Sequence, residues 1–140
     1  MAQILFVAAG PNGTVPKRAD ENAAGYDLYS SEDRTILSGT RALVDTDICI
    51  RPPRGCYARI APRSSMAVNG VDVGAGVVDR NYTGTLKVLL INHASVNLIV
   101  DKGQRIAQLI LERHETPPIQ LVDRLPETGR GSQGFGSTGR

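Results

Sequence analysis

The chain has 140 residues, which is enough for one domain with a sizeable core and too few for two. Its 41% hydrophobic content excludes wholesale disorder, and the near balance of 16 basic and 14 acidic side chains excludes a strong non-specific nucleic-acid surface. Two cysteines are too few for a disulfide scaffold or a zinc cluster, and no apolar run is long enough to cross a membrane, so the composition predicts a soluble intracellular protein.

Short β-branched runs separated by glycine and proline predict an all-β fold. The apolar N-terminus has no basic segment before it and is soon followed by Pro11 and Gly13, which favours a first strand over a signal peptide. Strands are predicted over residues 4–7, 40–50, 56–61, 86–91, 98–100 and 105–111. One helical turn is predicted over residues 64–68. Many short, closely spaced strands indicate an antiparallel sandwich or barrel such as a jelly roll.

Two segments of the first half offer polar groups that suit a nucleotide. Asp27 follows Gly25 and Tyr26 and is, by itself, either a turn residue or an outer partner of a metal ion. Arg63 stands beside two hydroxyl side chains where the helical turn is predicted to begin. Exposed N–H groups at such a turn favour phosphate, and a guanidinium grips phosphate oxygens in pairs. An arginine next to serine is also common on ordinary protein surfaces.

An apolar run in the second half ends on a carboxylate. Gly74 and Gly76 allow close approach to the backbone, and Asp79 terminates the run. An aspartate in this position is either a turn former or a partly desolvated general base.

The last eleven residues, RGSQGFGSTGR, contain nothing that could form a core. One interpretation is a disordered tail. The other is a mobile flap, in which the glycines give reach, Phe135 stacks on a ligand, and Arg130, Ser137 and Thr138 hold an anion.

Five motifs, taken together and in order, resemble the trimeric dUTPase family. They are AAGYDLYS (23–30), APRSSMA (61–67), VDVGAGVVDRNYTG (71–84), GQRIAQLILER (103–113) and RGSQGFGSTG (130–139). The resemblance implies a distorted jelly-roll β-barrel with at most one short helix. It also implies a homotrimer with shared active sites, a barrel domain over residues 1–129, and a flexible arm over residues 130–140 that closes over the site.

The implied activity is magnesium-assisted hydrolysis of dUTP to dUMP and pyrophosphate, which keeps uracil out of DNA and supplies dUMP for thymidylate synthesis. Asp79 is expected to activate the attacking water and Gln108 to help hold it. Tyr82 is expected to pack under the deoxyribose and leave no room for a 2′-hydroxyl. Asp27 would orient Mg²⁺ through water.

The remaining roles implied by the resemblance concern phosphate and base contacts. Residues expected at the phosphates are Arg63, Ser64, Ser65, Arg130, Ser137 and Thr138, and Phe135, with Gly136 beside it, is expected to stack on uracil. The hairpin of the third motif, including Gly76, would recognise uracil through its backbone, and Lys87 is expected near that uracil-binding backbone. No membrane or nucleic-acid partner is expected, and the predicted location is the cytoplasm, with the nucleus left open.

Three positions depart from the family pattern. Ser65 and Gln133 stand where glycine is usual, and Lys87 stands where some members have glycine.

The nearest rival interpretation is a deoxycytidine triphosphate deaminase of the same fold, which the Arg63-Ser64-Ser65 sequence also resembles. That branch carries a catalytic glutamate at the position of Leu89, and leucine cannot shuttle a proton. A second rival, from another class, is a β-sandwich interaction module that has lost its activity. The complete set of catalytic residues argues against it.

Overall fold

The computed structural model describes residues 3–137, and these form eleven β-strands and one five-residue helix. The strands are β1 (Phe6–Ala9), β2 (Tyr26–Tyr29), β3 (Arg34–Ile36), β4 (Arg41–Asp45), β5 (Ile48–Arg51), β6 (Cys56–Ala61), β7 (Val71–Gly74), β8 (Val77–Val78), β9 (Lys87–Asn92), β10 (Leu98–Val100) and β11 (Arg105–Arg113). The helix α1 (Ser64–Val68) follows β6. The predicted all-β class with one short helix is confirmed.

The described strands pair only in the antiparallel sense, in four small sheets. Their orders are β2-β11-β6-β8, β4-β9-β7, β1-β5 and β3-β10. Every one of these pairs joins strands that are not consecutive in sequence, so the chain passes back and forth between sheets. This is the arrangement of a jelly roll.

The core is aliphatic. Along β9, for example, Val88, Leu90 and Asn92 are buried, whereas the residues between them are more exposed, as expected for a strand with one face on the core. The fully buried large side chains are almost all Leu, Ile or Val, and no described aromatic side chain is among them. Buried Asn92 is satisfied, because its amide donates to the carbonyls of Ile36 and Val96 at 3.0 and 2.9 Å.

One segment that was predicted as a single strand forms two strands in the structure. The alternation over residues 40–50 predicts a single strand, but the chain breaks between β4 and β5 at Asp47, whose φ of 53° lies in the left-handed region. Aspartate tolerates this conformation better than most residues. The Asp47 carboxylate also accepts the Asn12 N–H at 2.9 Å, so the break is held by a contact that is distant in sequence.

Four strands of the structure were not predicted as strands from the sequence. The segment around Asp27, interpreted as a turn, lies in β2, and β3, β7 and β8 were not predicted. These strands have two to four residues, which is too short for alternation to show. By contrast, the predicted bounds of β6, α1 and β10 are confirmed, and β1, β9 and β11 are displaced or extended by one or two residues.

Beyond β11, residues 114–137 contain no strand or helix and lie almost wholly on the surface. Large apolar side chains there, Ile119, Leu121 and Leu125 among them, are exposed. The chain therefore ends in an arm that gains little from packing on its own barrel.

Cys49 and Cys56 are both free thiols. Among residues 3–137, no helix has the length and apolarity that crossing a bilayer requires.

Candidate active site

The seam between β2, β11 and β6 carries the first group of predicted site residues. Gln108 on β11 lies directly opposite Asp27 on β2 and Ala61 on β6. Its side-chain amide donates to the carbonyl oxygen of Pro62 at 3.0 Å, which fixes the orientation of the amide. The structure therefore brings Gln108 to the residue just before Arg63.

Gly25 is required beside Gln108. A Cβ at this position would lie 2.3 Å from Gln108 Oε1, closer than real Cβ atoms come to neighbours, and a tight 3.0 Å from Gln108 Cβ. The glycine thus makes room for the Gln108 side chain across the strand pair. The sequence motif contained Gly25, but it gave no reason for it.

Asp27 is held against a cation. Its side chain is 17% exposed, and its Oδ2 lies 3.7 Å from an Nη atom of Arg105, at the start of β11. The backbone carbonyl of Arg105 in turn lies 3.4 Å from the guanidinium of Arg63. Arg105 was missed as a site residue, although it belongs to the fourth motif, because its role depends on a partner 78 residues away (105 − 27).

Arg63 stands immediately before α1, with extended backbone, and no side chain caps the helix. Ser64 and Ser65 form its first turn and are exposed. The short helix thus presents two hydroxyls beside a guanidinium, as the sequence predicted. None of the three is engaged by an acidic partner within the described residues.

A second group surrounds a cavity of about 250 Å³. The chain crosses here from β7 to β8 through Ala75 and Gly76, both with positive φ. Gly76 lies against β6, where its carbonyl accepts the Ile60 N–H at 2.8 Å, and an added Cβ would stand 2.5 Å from the Ile60 carbonyl oxygen. Only glycine fits at position 76. The lining residues are Ile60, Ala75, Gly76, Val77, Val78, Asp79, Tyr82, Leu86 and Lys87.

Tyr82 forms one wall of this cavity. Its hydroxyl donates to the carbonyl of Thr85 at 2.9 Å, and its ring covers Gly84, where an added Cβ would meet the hydroxyl at 2.5 Å. The turn from Asp79 is closed by the Tyr82 N–H, which donates to the Asp79 carbonyl at 3.1 Å. Asp79 itself is exposed on the rim of an otherwise mostly apolar cavity.

The third group is the tail, whose polar contacts within residues 130–137 are local. The Arg130 guanidinium donates to the carbonyl of Gln133, and the Gly134 N–H donates to Ser137 Oγ at 2.8 Å. Phe135 is fully exposed at a φ of 51°, and Gly136 follows it with positive φ. Thr138 lies outside the described residues.

The comparison with protein families assigns the chain. A family model described as dUTPase matches residues 11–139, nearly the whole chain. The chain belongs to the dUTPase family.

Individual dUTPases agree over nearly the same span. The rat protein named deoxyuridine 5′-triphosphate nucleotidohydrolase is 51% identical over 140 residues, which cover 99% of this chain and 68% of the rat protein. The protein of that name from avian adenovirus 8 is 51% identical over 138 residues, covering 98% and 85% of the two chains. The dUTPase of Staphylococcus bacteriophage 80alpha, solved as a G164S mutant with dUpNHpp, matches in fold with a TM-score of 0.92. It is 24% identical over 99% of this chain and 100% of its own.

The family match favours the dUTPase interpretation over the deaminase of the same fold, because the matching family is the dUTPase family. Leu89, where that branch has a catalytic glutamate, is a half-buried residue of β9 facing Leu43 on β4.

The structure shows how the side chains at two of the three departures from the dUTPase pattern are accommodated. Ser65 is exposed in the first turn of α1, where a side chain has room. Lys87 begins β9, and its ammonium lies 3.7 Å from Asp45 on the neighbouring strand. The third, Gln133, lies in the exposed tail, where nothing in the structure explains it.

Proposed function

We propose that this chain hydrolyses dUTP to dUMP and pyrophosphate. The observation that carries the proposal is the cavity between Gly76 and Tyr82, which has Asp79 on its rim and lies in a member of the dUTPase family. A cavity of about 250 Å³ suits one pyrimidine nucleoside better than a larger ligand.

Base selection would depend on the backbone around Gly76 and Lys87. Gly76 lets this crossing pack closely on β6, and its remaining peptide groups would pair with the uracil edge as strands pair with each other. Cytosine exchanges a donor for an acceptor, which would leave buried groups unpaired. The narrow crossing would exclude the thymine methyl group by shape.

Sugar selection would depend on Tyr82. Because its hydroxyl is fixed to Thr85, the ring cannot easily move aside for a ribose 2′-hydroxyl. UTP should therefore be a much poorer substrate than dUTP.

In the reaction, Asp79 accepts a proton from a water molecule that the Gln108 amide helps to position. The water oxygen forms a bond to the α-phosphorus, and the bond from this phosphorus to the bridging oxygen breaks. Pyrophosphate leaves with the electron pair of that bond. The fixed amide of Gln108, anchored on Pro62, supports this positioning role.

The triphosphate would be held by cationic and hydroxyl groups of two segments. Arg63, Ser64 and Ser65 would contact the α- and β-phosphates, and the tail would bring Arg130, Ser137 and Thr138 to the γ-phosphate. Phe135, exposed in the free tail, would stack on uracil with Gly136 beside it.

The donors fit a magnesium ion that is bound mainly by the substrate. No group of three or more acidic, histidine or cysteine side chains that could hold a metal ion lies together within residues 3–137. Mg²⁺ keeps several waters and commonly binds through one or two carboxylates plus phosphate oxygens. Asp27 would orient those waters, while Arg105 holds its carboxylate. Bound Mg²⁺ would offset phosphate charge as pyrophosphate leaves.

A trimer would assemble the complete site. Within one chain Asp27, Arg63 and Gln108 do not line the cavity, and the tail makes local polar contacts. Neighbouring subunits would bring these groups together. In the cell, the enzyme would remove dUTP before it enters DNA and supply dUMP for thymidylate synthesis.

The test is pyrophosphate release from dUTP, dCTP, dTTP and UTP in parallel, with the wild type and Tyr82→Ala. We expect the wild type to turn over dUTP far faster than the other three nucleotides, and the ratio of kcat/KM for dUTP over UTP to be smaller in the variant. Pyrophosphate release from dCTP or dTTP as fast as from dUTP would contradict the proposed base selection. An unchanged ratio in the variant would remove Tyr82 from sugar selection.

A further inference from the structure

Lys87 places a long cationic side chain at the edge of the proposed base cavity. Five aliphatic side chains line the same cavity, namely Ile60, Ala75, Val77, Val78 and Leu86. An ammonium that folded across this opening would block the base and would itself lose solvation. The structure must therefore direct the Lys87 side chain elsewhere.

Asp45 is the residue opposite Lys87. The two are Cα partners in the β4–β9 pair, and Val44 and Val88, next to them, are fully buried. Because side chains alternate along a strand, Asp45 and Lys87 share the face that points away from the core. Lys87 Nζ lies 3.7 Å from Asp45 Oδ2, with the two side chains 47% and 30% exposed.

The Asp45 carboxylate is itself anchored. Its Oδ1 accepts the Asp47 N–H at 3.1 Å, and the nearby Thr85 hydroxyl helps to lower its pKa. Thr85 is the residue whose carbonyl accepts the Tyr82 hydroxyl. Asp45 thus stands beside the turn that forms the cavity wall, and it also faces the cation on the cavity edge.

Asp45 carries its negative charge at neutral pH. Partial burial raises its pKa, but the N–H of Asp47, the Lys87 ammonium, the Thr85 hydroxyl and the N–H of Thr46 outweigh this and hold the pKa below its ordinary value.

Resting on the function proposed above, we infer that Asp45 is a positioning residue for dUTP binding. It holds the Lys87 ammonium along the outer face of β4 and β9 and so keeps the base cavity open. The effect is on binding, since neither side chain is placed at the reacting atoms.

The experiment compares Asp45→Asn in two backgrounds, the wild type and Lys87→Ala. The amide keeps the size of Asp45 and its acceptor for Asp47, but it loses the attraction for Lys87. We expect KM for dUTP, and Kd for the non-hydrolysable analogue dUpNHpp, to rise about two- to fivefold in the wild-type background, the range expected for losing an exposed ion pair. We expect kcat to be nearly unchanged. In the Lys87→Ala background the same substitution should have no effect, because no cation is left to direct.

A matched control is Glu32→Gln. Glu32 and Arg34 form an ion pair of similar exposure, with N–O at 2.9 Å, and neither lines the cavity. This variant should leave KM unchanged. Asp45→Glu, which keeps the charge, should stay closer to the wild type than Asp45→Asn and serves as a second test if the amide variant folds poorly.

Three results would overturn the inference. They are an unchanged or lower KM in Asp45→Asn, an equal effect of Asp45→Asn in both backgrounds, and a fall in kcat without a change in KM. Failure of the proposed function is separate, since it would show as a wild-type protein that does not release pyrophosphate from dUTP.

Discussion

Single side chains of the proposed site have roles that can be tested one at a time, beginning with Asp79. It stands exposed on the rim of an otherwise mostly apolar cavity. Asp79→Asn keeps the shape but removes the proton acceptor, so kcat should fall by at least about 100-fold, as for the loss of a general base. Isothermal titration with dUpNHpp should still show binding. Turnover near that of the wild type would mean that another group accepts the proton.

Gly25 offers a test of Gln108 that leaves Gln108 in place. In Gly25→Ala the new Cβ would collide with the Gln108 side chain and displace its amide from Pro62. Misplacement of a reacting group by about 1 Å can cost on the order of 100-fold in rate, so we expect kcat to fall about 10- to 100-fold.

Gly129→Ala is the control for that substitution, because Gly129 has open space around its Cβ position and no positive φ. Steady-state kinetics of both variants with dUTP provide the measurement. Equal kcat values for the two would show that the Gln108 orientation does not limit the reaction.

At the scale of elements, β6 and β11 are joined by a polar cluster on their outer face. Glu112 accepts hydrogen bonds from the Tyr57 hydroxyl and from Arg59 Nε, the latter at 2.6 Å. His114 packs edge-on against Tyr57 with ring centroids 5.3 Å apart. These contacts tie the first residues of β6 to the end of β11, beyond the segment that carries Gln108.

The cluster predicts a pH dependence of stability. The hydrogen bond from Tyr57 and then that from Arg59 hold the pKa of Glu112 below its ordinary value of 4.5. A carboxyl group whose pKa is lowered by folding stabilises the fold above its unfolded pKa and loses that contribution as the pH falls through its folded pKa. Wild type should therefore exceed Glu112→Gln in Tm at neutral pH, and the difference should vanish in acid.

Thermal unfolding between about pH 3 and about pH 7 measures this dependence. Glu115→Gln is the control, since Glu115 is exposed just beyond β11. A constant Tm difference between wild type and Glu112→Gln over that range would show that the carboxylate charge is not what stabilises the strand pair.

At the scale of the whole molecule, the tail separates folding from activity. Residues 130–137 bury little apolar surface, so truncation after Gly129 should scarcely change Tm. The same truncation should abolish most dUTP turnover, because the proposed contacts of Arg130 and Phe135 with the substrate would be lost. Unfolding on truncation would make the segment structural, and full activity would make it an ordinary disordered tail.

The proposed trimer makes a further prediction with the same variant. Co-refolding truncated chains with Asp79→Asn chains should restore activity that neither shows alone. If the tail and Asp79 of one site come from different subunits, random mixing in equal amounts would complete roughly a quarter of the sites. Sedimentation equilibrium should report about three times the 15.0 kDa chain mass. A fully active monomer would contradict the shared site.

Much of the molecule could be predicted from the sequence because it depends on local pattern. The bounds of β6, α1 and β10 could be predicted from local sequence pattern, and the five motifs were enough to predict the family. The grouping of Gly76, Asp79 and Tyr82 around one cavity also follows from their proximity along the chain. The individual catalytic roles and the cytoplasmic location stay predictions.

Only the tertiary structure decided what depends on partners far apart in sequence. The break at Asp47 is held by the N–H of Asn12, Asp27 meets Arg105, Lys87 meets Asp45, and the need for Gly25 arises from Gln108 across a strand pair. Periodicity reports which face of a strand is buried, but it carries no information about which strand lies next to it. Strand pairing fixes those neighbours, because hydrogen bonding brings residues of two strands to within about 5 Å whatever their separation along the chain.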